Sequence, residues 1–253
     1  MTAPLPATAA EDGAERWSWP ISPPRDDAAG VMRPAEARAV ADLGVRNLRR
    51  LQYHDPSAPG WRVIARLLAE APYLRAALAL FADLVHAAGG GPVADVGCGP
   101  GHVTAHLHEL GVDAFGIDLS SVMIDVARRD HPRLRFEVGS MTDLNLADAS
   151  AVGLLAFWSL IHVPDEAVPT VFGHFRRVLR PGGPLLLGFH VGDESRLKTQ
   201  DYGGHPMNVH VHRRQPDQVA AWLRDAGFTV EAQMLIDPDE SVPGAVLFAR
   251  RQS

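Results

Sequence analysis

The sequence predicts an α/β fold built around a mostly parallel β-sheet. After three glycines and a proline at 89–92, short apolar segments alternate with amphipathic segments of helical spacing. Strands that alternate with helices of about 10–15 residues are typical of parallel βαβ units with right-handed crossovers. The last two apolar segments are joined only by the turn-like stretch D-P-D-E-S-V-P-G (237–244), so we predict that they pair as an antiparallel hairpin.

The first third of the chain has a different pattern. Residues 1–30 are rich in Ala, Pro, Asp and Gly and lack periodicity, so we expect a disordered tail. Exposure of the Trp17 and Trp19 side chains to water would be unfavourable, so the tail could instead be a flap that covers an active site. Residues 31–90 are predicted to form an N-terminal helical cap, and 91–253 a single domain. The cap's predicted helices are 35–51 and 61–88.

Within the domain, the apolar runs and their Gly or Pro boundaries define the elements. The predicted strands are 93–96, 114–117, 134–138, 152–157, 184–190, 229–236 and 245–249. The predicted helices are 102–110, 121–130, 165–179 and 216–226. Residues 191–213 are predicted to be a long loop at the carboxyl edge of the sheet, where loops often carry function. In that loop, Tyr202 and His205 are candidate substrate contacts.

Composition excludes several classes of function. The chain has a formal net charge of -6 and no basic run, so it lacks the electrostatic footprint of a protein that binds nucleic acid or an anionic membrane. Its one cysteine, Cys98, allows no internal disulfide, which fits a reducing compartment. The sequence shows no signal peptide and no apolar stretch of the ~20 residues that a membrane helix needs. We therefore expect a soluble, cytoplasmic protein; its oligomeric state stays open.

A glycine-rich loop follows the first predicted strand. The stretch A-D-V-G-C-G-P-G (94–101) places glycines at 97, 99 and 101. Ligands of an open parallel sheet bind at the carboxyl ends of its strands, and glycine lets a ligand lie against bare backbone there. His102 stands where a dinucleotide-binding fingerprint needs its third glycine, which argues against a nicotinamide cofactor.

Two acidic residues flank this loop and narrow the ligand class. Asp95, inside the strand end, would repel a pyrophosphate but can pair with an ammonium group. Asp118 ends the second strand, where a carboxylate can accept both hydroxyls of a ribose. A ligand with a ribose, a positive amino-acid end and no phosphate matches both features. S-adenosylmethionine is such a ligand.

At this point the sequence resembles a known family. V-A-D-V-G-C-G-P-G-H-V-T (93–104) and G-I-D-L-S (116–120) look like the first two motifs of class I S-adenosylmethionine-dependent methyltransferases of the small-molecule type. The similar later segments are R-F-E-V-G-S-M-T-D-L (135–144), A-F-W-S-L-I-H-V-P (156–164), F-R-R-V-L-R-P-G-G-P-L-L-L (175–187) and 213–230. The resemblance covers about 90–250. It implies a three-layer, Rossmann-like sheet of seven strands in the order 3-2-1-4-5-7-6, with the last strand antiparallel.

The resemblance also implies which residues hold S-adenosylmethionine and release S-adenosylhomocysteine. These are Asp95, Gly97, Cys98, Gly99, Gly101, Asp118, Leu119, Met123, Ser140, Met141 and Trp158. Many relatives carry Asp at the position of Ser140, so the adenine amino group would contact Ser140 or the amide of Met141 instead. Met123 fits an adenine face or a core position equally well. Asp118 could serve as a helix N-cap, although Ser120 or Ser121 is the more natural cap.

Two histidines are candidates for catalysis. His162 follows the fourth predicted strand and His190 ends the fifth. Methyl transfer is an in-line displacement that gains much of its rate from alignment and from exclusion of water. A base is needed only where the acceptor must lose a proton, so each histidine is either a base or a brace for its loop. Although the chain has twelve histidines, it lacks a Cys cluster or an H-E-x-x-H helix, and we predict no metal site.

The implied function is methyl transfer to an oxygen or nitrogen of a small-molecule metabolite. Two alternatives stay open. The altered third and fourth motifs fit a protein of the same fold that binds the cofactor without transferring methyl. An NAD-dependent oxidoreductase is the other alternative, against which Asp95 and His102 argue.

Overall fold

The computed structural model describes residues 68, 70–200 and 206–253, and of residues 200 and 206–208 it describes only the backbone. The predicted tail, the first cap helix, Tyr202 and His205 lie outside the described residues.

Nine strands and five α-helices follow one another along the described chain. The strands are β1 (Pro92–Val96), β2 (Asp113–Asp118), β3 (Arg135–Val138), β4 (Gly153–Phe157), β5 (Pro184–His190), β6 (Ser195–Gln200), β7 (Pro206–His212), β8 (Phe228–Ile236) and β9 (Gly244–Arg251). The helices are α1 (Pro72–Ala87), α2 (His102–Glu109), α3 (Ser121–Asp130), α4 (Val168–Val178) and α5 (Pro216–Asp225). Within the described ranges, no helix is both long enough and apolar enough to cross a bilayer.

Seven of the strands form the main sheet. Their order is β3-β2-β1-β4-β5-β9-β8, which is the predicted order because β8 and β9 are the sixth and seventh predicted strands. β9 runs antiparallel to both β5 and β8, whereas the other pairs are parallel. The predicted Rossmann-like sheet and its terminal hairpin are therefore confirmed.

Helices cover both faces of this sheet, which explains why its strands read as continuous apolar runs. On one face, Phe172 and Phe175 of α4 and Leu223 of α5 pack in a cluster with alternate residues of the strands. On the other face, Phe81 of α1 and Leu107 of α2 pack against the remaining strand residues. The three layers leave the carboxyl edge of the sheet as the place where the strand-to-helix loops meet.

Helix α1 belongs to a layer of the sheet domain. Val85 and Phe81 pack so closely over Gly153 that a Cβ atom added there would lie 2.8 Å from Val85 Cγ2 and 3.2 Å from Phe81 Cζ. A domain that starts at residue 91, as the sequence suggested, would exclude this helix although it packs directly on the sheet. We therefore propose that the domain begins at α1, ahead of the limit that the sequence suggested.

Residues 191–213 contain structure that the sequence analysis did not predict. β6 and β7 pair as a separate two-stranded antiparallel sheet, so the prediction of a plain loop is wrong. The register joins Lys198 to Val209 and Arg196 to Val211. Val209 is buried and Val211 packs on the core, so this face of the hairpin looks toward the sheet domain.

The predicted helix over 165–179 is divided in the structure. A 3₁₀ turn at Asp165–Ala167 leads into α4, which carries Pro169 in its first turn. Proline has no amide hydrogen and is tolerated at a helix start, so the helix proper begins later than the apolar spacing indicated.

Candidate active site

The glycine loop between β1 and α2 is tied to the neighbouring strand. The amides of Gly97 and Cys98 both donate to the carbonyl of Ile117 in β2, at 2.6 and 3.0 Å. Gly97, Gly99 and Gly101 have φ values of 80°, 53° and 83°, a left-handed conformation that favours glycine. The loop is thereby held in one conformation at the carboxyl edge.

The three glycines face different surroundings. A Cβ atom at Gly97 would lie 2.2 Å from Cβ of Ser159, and one at Gly101 would lie 2.7 Å from Cζ of Phe136. A Cβ atom at Gly99 would meet nothing within 4 Å. Gly97 and Gly101 are therefore needed for packing, whereas Gly99 presents bare backbone to open space. Gly99 is the position against which a ligand can lie.

The carboxylate of Asp118 is fixed beside Gly99. Its Oδ2 accepts from the amide of Gly99 and its Oδ1 from the amide of Ser120, both at 2.8 Å. Burial raises its pKa above the usual value, and the two amide bonds oppose that rise. Each oxygen keeps a lone pair for a hydroxyl donor. Ser120 itself caps α3, because its Oγ accepts from the amide of Met123 at 3.3 Å.

Asp95 is a buried acid that pairs with no cation of the described residues. It is 1% exposed, and Thr104 Oγ1 donates to its Oδ2 at 2.6 Å. Burial raises its pKa to about 7; the Thr104 hydroxyl opposes this rise and the nearby Asp118 adds to it. Among the described residues, no cationic side chain pairs with Asp95. An ammonium group of a ligand would supply the missing charge, so the acid fits the amino-acid end of S-adenosylmethionine.

The Cys98 side chain lies behind the loop. It packs with Ile124, Ala127 and Phe136, and a Cβ atom at Gly116 would lie 2.6 Å from its Sγ. Burial, with the charges of the two aspartates, raises the pKa of the thiol well above its usual value. A thiol that stays protonated is a poor nucleophile. Cys98 can therefore face a cofactor only through its backbone.

The end of β3 completes this side of the site. The amide of Gly139 donates to the carbonyl of Asp118 at 3.0 Å. Met141 reaches the glycine loop, with its Cε 3.4 Å from a Cβ atom added at Gly97. The Ser140 hydroxyl lies 2.8 Å from the Thr142 hydroxyl and also accepts from the Thr142 amide. The hydrogen bonds of the Ser140 side chain are thus made within its own turn, to Thr142. The Met141 side chain lies against the glycine loop.

Leu119 and Met123 occupy the edge next to Asp118. Both are half-buried, Leu119 directly after β2 and Met123 in the first turn of α3. Their positions agree with a role in lining the candidate cofactor site, and neither side chain has a specific contact there among the described residues.

Trp158 lies on the β5 and β9 side of the site. Its backbone has a φ of 56°, which is uncommon for a residue other than glycine. A Cβ atom at Gly188 would lie 2.5 Å from the Trp158 ring, and one at Gly244 would lie 3.1 Å from it. The structure therefore places the indole across these two strands, and the contacts of Gly97 are Ser159 and Met141 instead.

His190 is held by that indole. Trp158 Nε1–H donates to His190 Nδ1 at 3.3 Å, so Nδ1 carries the lone pair and Nε2 carries the proton of the neutral ring. Burial, together with the charge of Arg213, lowers its pKa to about 4. At neutral pH this imidazole is a hydrogen-bond donor at Nε2.

His162 has the opposite arrangement. Its Nδ1 lies 3.2 Å from the carbonyl of His210 in β7, and a carbonyl can only accept, so Nδ1 carries the proton. The lone pair of the neutral ring is then on Nε2. Burial lowers its pKa below the usual histidine value, whereas the residue as a whole is exposed to solvent. In its neutral form His162 can accept a proton at Nε2.

Comparison with known proteins agrees with this geometry. A family described as a methyltransferase domain matches residues 93–183, which run from β1 to the residue before β5 and include both aspartates, the glycine loop and His162. This part of the chain is therefore similar to S-adenosylmethionine-dependent methyltransferases.

Two curated relatives are similar to this chain. A probable S-adenosylmethionine-dependent methyltransferase of Mycolicibacterium smegmatis is 29% identical over 175 residues, covering 68% of this chain and 65% of the relative. An O-methyltransferase of Penicillium expansum is 31% identical over 145 residues, covering 54% of this chain and 52% of the relative. The chain thus spans less than two thirds of the length of these two relatives.

One solved structure is similar over almost the whole chain. It is the 1,6-didemethyltoxoflavin N1-methyltransferase of Burkholderia thailandensis with 1,6-didemethyltoxoflavin and S-adenosylhomocysteine bound. The likeness has a TM-score of 0.59 and 24% identity, and it covers 92% of this chain and 95% of that one. This likeness supports the fold of the chain.

Sequence reasoning missed one residue that shapes the candidate site. Arg214 is 1% exposed and donates to the carbonyls of Leu160, at 3.0 Å, and of Val163. Its Nε also donates to Asp165 at 2.9 Å. These bonds clamp the turn that carries His162. The partners lie about fifty positions away in the chain, so no local pattern signals them.

The hairpin adds further histidines without forming a metal centre. The rings of His210 and His212 stack at 6.3 Å, and Ser195 Oγ lies 2.7 Å from His212 Nδ1. In the part of the chain that the structure describes, no three His, Cys, Asp or Glu side chains are grouped to hold a metal ion. The alternation V-H-V-H (209–212) is the strand signal that could have revealed β7.

Proposed function

We propose that this protein is a methyltransferase that moves the methyl group of S-adenosylmethionine to an oxygen or nitrogen of a small-molecule metabolite. The observation that carries the proposal is the pair of carboxylates on either side of bare Gly99: Asp118, fixed by two amides, and Asp95, buried and paired with no cation of the described residues. This pair fits a ribose and an ammonium group and disfavours a pyrophosphate, which both charges would repel.

The two carboxylates beside Gly99 have separate tasks. Asp118 would accept the ribose hydroxyls through its free lone pairs, and Asp95 would pair with the ammonium group. Met141, packed at the loop, would lie against the adenine, with Ser140, Met123 and Leu119 nearby. When bound, S-adenosylmethionine supplies a methyl group on a sulfonium sulfur, which keeps the electron pair of the broken bond.

The two histidines would divide the work at the acceptor. His162 Nε2 would receive a proton from the acceptor, because its Nδ1 is committed to the His210 carbonyl. His190 would donate from Nε2 and orient the acceptor, because Trp158 occupies its Nδ1. A base helps most when it is uncharged at the working pH, and the lowered pKa of His162 meets that condition.

Several observations support a small-molecule acceptor. Two of the similar proteins described above have names that state the methylated atom: one is an O-methyltransferase and the other an N1-methyltransferase. The chain has a net charge of -6, which disfavours nucleic acid and anionic membranes as partners. Its one cysteine is consistent with action in the cytoplasm.

The test is turnover of S-adenosylmethionine carrying a labelled methyl group with a library of small metabolites. We expect labelled product from at least one acceptor. His162→Gln should lower kcat by about 10²–10⁴-fold with that acceptor, the range of general-base catalysis. His108→Gln, at an exposed site on α2, is the matched control. Cofactor binding without transfer to any acceptor would instead favour a purely binding role.

A further inference from the structure

β1 and β4 separate as they approach the carboxyl edge of the sheet. Their pairing ends at Asp95 and Leu155. Beyond that point β1 stays paired with β2, through Val96, and β4 stays paired with β5, through Phe157. The order of the strands also reverses here, because β2 and β3 lie on one side of β1 whereas β4 and β5 lie on the other. In open α/β sheets, ligands bind in the crevice outside the strand ends at such a reversal.

The Ser159 side chain bridges the gap between the two strands. Its hydroxyl donates to the carbonyl of Val96, the last residue of β1, at 2.6 Å. Ser159 is 8% exposed and Val96 is 1% exposed, so the bond lies in the interior. β4 has turned toward β5 at this level, since the amide of Trp158 donates to the carbonyl of Gly188 at 2.8 Å. The serine hydroxyl therefore supplies the donor that a buried carbonyl at the end of β1 needs.

On one side, Ser159 packs against the first glycine of the cofactor loop. A Cβ atom added to Gly97 would lie 2.2 Å from Ser159 Cβ and 2.7 Å from its Oγ. Gly97 is in turn fixed to β2, because its amide donates to the carbonyl of Ile117 at 2.6 Å. The serine is therefore seated on a rigid part of the loop that we expect to hold S-adenosylmethionine.

On the other side, the backbone of Ser159 fixes the turn that follows. Its carbonyl accepts from the amide of His162 at 3.2 Å, next to the 3₁₀ turn Leu160–His162. Arg214 holds the same turn by donating to the carbonyls of Leu160 and Val163. Ser159 is thus the point at which this turn is joined to β1.

We infer that Ser159 is a positioning residue whose hydroxyl sets the distance between the cofactor loop and the turn that carries His162, an inference that rests on the proposed function. Methyl transfer depends on the alignment of acceptor, methyl group and sulfur, and an error of about 1 Å in such an alignment can lower a rate by about 100-fold. Ser159 acts through the Val96 carbonyl and the backbone of the turn, so its side chain needs no contact with the reacting atoms.

Ser150 offers a matched comparison for a bond that only stabilises the fold. Its Oγ donates to the carbonyl of Ala147 at 2.7 Å, in the segment that precedes β4 at the amino edge of the sheet. Ser150→Ala removes a hydroxyl-to-carbonyl bond of nearly the same length at the opposite edge from the crevice. Ser159→Ala keeps the Cβ atom that packs against Gly97, so it removes the hydrogen bond and little else.

The first readout is the His162 ring, observed by NMR in protein with isotope-labelled histidine, with and without S-adenosylhomocysteine. His162→Gln assigns its signals among those of the twelve histidines. In Ser159→Ala we expect these signals to shift or to broaden by exchange, because the turn has lost its link to β1. Ser150→Ala should leave them at their wild-type positions and widths.

The second readout separates catalysis from cofactor binding. With an acceptor found in the labelled-methyl assay, Ser159→Ala should lower kcat by about 10–100-fold. Calorimetry should find its affinity for S-adenosylhomocysteine within about threefold of the wild type, because the loop keeps its bond to β2. Ser150→Ala should change neither quantity.

Three results would overturn the inference. These are unchanged His162 signals in Ser159→Ala, an equal change in Ser150→Ala, or a loss of S-adenosylhomocysteine affinity as large as the loss in kcat. The proposed function fails separately, if no acceptor is methylated or the nucleoside does not bind. The NMR comparison without the nucleoside still decides in that case whether Ser159 positions the turn.

Discussion

Asp95 is the residue whose chemistry depends most on what is bound beside it. Its pKa of about 7 lies above the value near 4 of an unfolded chain, so the folded state holds more protons between these pH values. The free energy of unfolding therefore falls as the pH rises from about 4 to about 7. Without a cation, this buried carboxylate lowers stability at neutral and alkaline pH.

We expect Asp95→Asn to show this cost directly. At about pH 8 the variant should be more stable than the wild type by up to about 4 kcal/mol, and the difference should vanish near pH 4. It should also bind S-adenosylhomocysteine at least about tenfold more weakly, because the ammonium loses its partner. Urea denaturation at both pH values and calorimetry measure these effects. Asp125→Asn, at an exposed site on α3, is the control, and an Asp95→Asn variant less stable at pH 8 would contradict the account.

Sequence reasoning reached some side chains of the site and not others. The positions of Asp95 and Asp118 beside the glycine loop were predictable, because each residue lies at the carboxyl end of a parallel strand. The different roles of His162 and His190 were not, since each depends on one hydrogen bond to a distant residue, the His210 carbonyl or the Trp158 indole. No spacing in the sequence encodes which ring nitrogen is free.

The glycine loop allows packing and ligand contact to be separated. Gly97→Ala places a Cβ atom 2.2 Å from Ser159 Cβ and should destabilise the fold by about 3 kcal/mol or more. Gly99→Ala meets open space and should cost only about 1–2 kcal/mol of backbone strain. Its methyl group would occupy the ligand side, so binding of S-adenosylhomocysteine should fall strongly. Denaturation and calorimetry on both variants decide this; unchanged binding in Gly99→Ala would show that the ligand lies elsewhere.

The turn between β4 and α4 depends on Arg214. Arg214→Met leaves two buried carbonyls without a donor, and we expect a loss of about 2–3 kcal/mol in the free energy of unfolding. Arg214→Lys keeps the charge but not the planar fork, so it should recover only part of the loss. NMR titration of the His162 ring should also shift in both variants and stay unchanged in Arg133→Met, which removes one exposed cation at the opposite, amino edge of the sheet. Wild-type stability and titration in Arg214→Met would show that the clamp has no role.

The β6–β7 hairpin shows where prediction of elements from sequence fails. β5 was predicted at its observed limits because both of its faces are buried and every residue contributes to one apolar run. β6 has no such run, since Arg196 and Lys198 occupy its inner face and Leu197 its outer face. A strand whose inner face lines a polar site reverses the usual hydrophobic pattern, and the segment therefore read as a loop.

For the molecule as a whole, the order of the sheet followed from the motifs because parallel crossovers and one closing hairpin leave few arrangements. The position of the β6–β7 hairpin did not follow, because the bond that ties it to the site joins the His162 ring to the His210 carbonyl, 48 positions away in the chain.

The central claim is that the loop at 97–101 and the two aspartates hold the nucleoside of S-adenosylmethionine. Isothermal titration calorimetry of S-adenosylhomocysteine with the wild type and Asp118→Ala tests it most directly. We predict micromolar-range binding that Asp118→Ala weakens by about 1–3 kcal/mol, the scale of lost charge-assisted hydrogen bonds, and no comparable binding of NAD. Absence of binding to the wild type, or equal affinity in Asp118→Ala, would contradict the account.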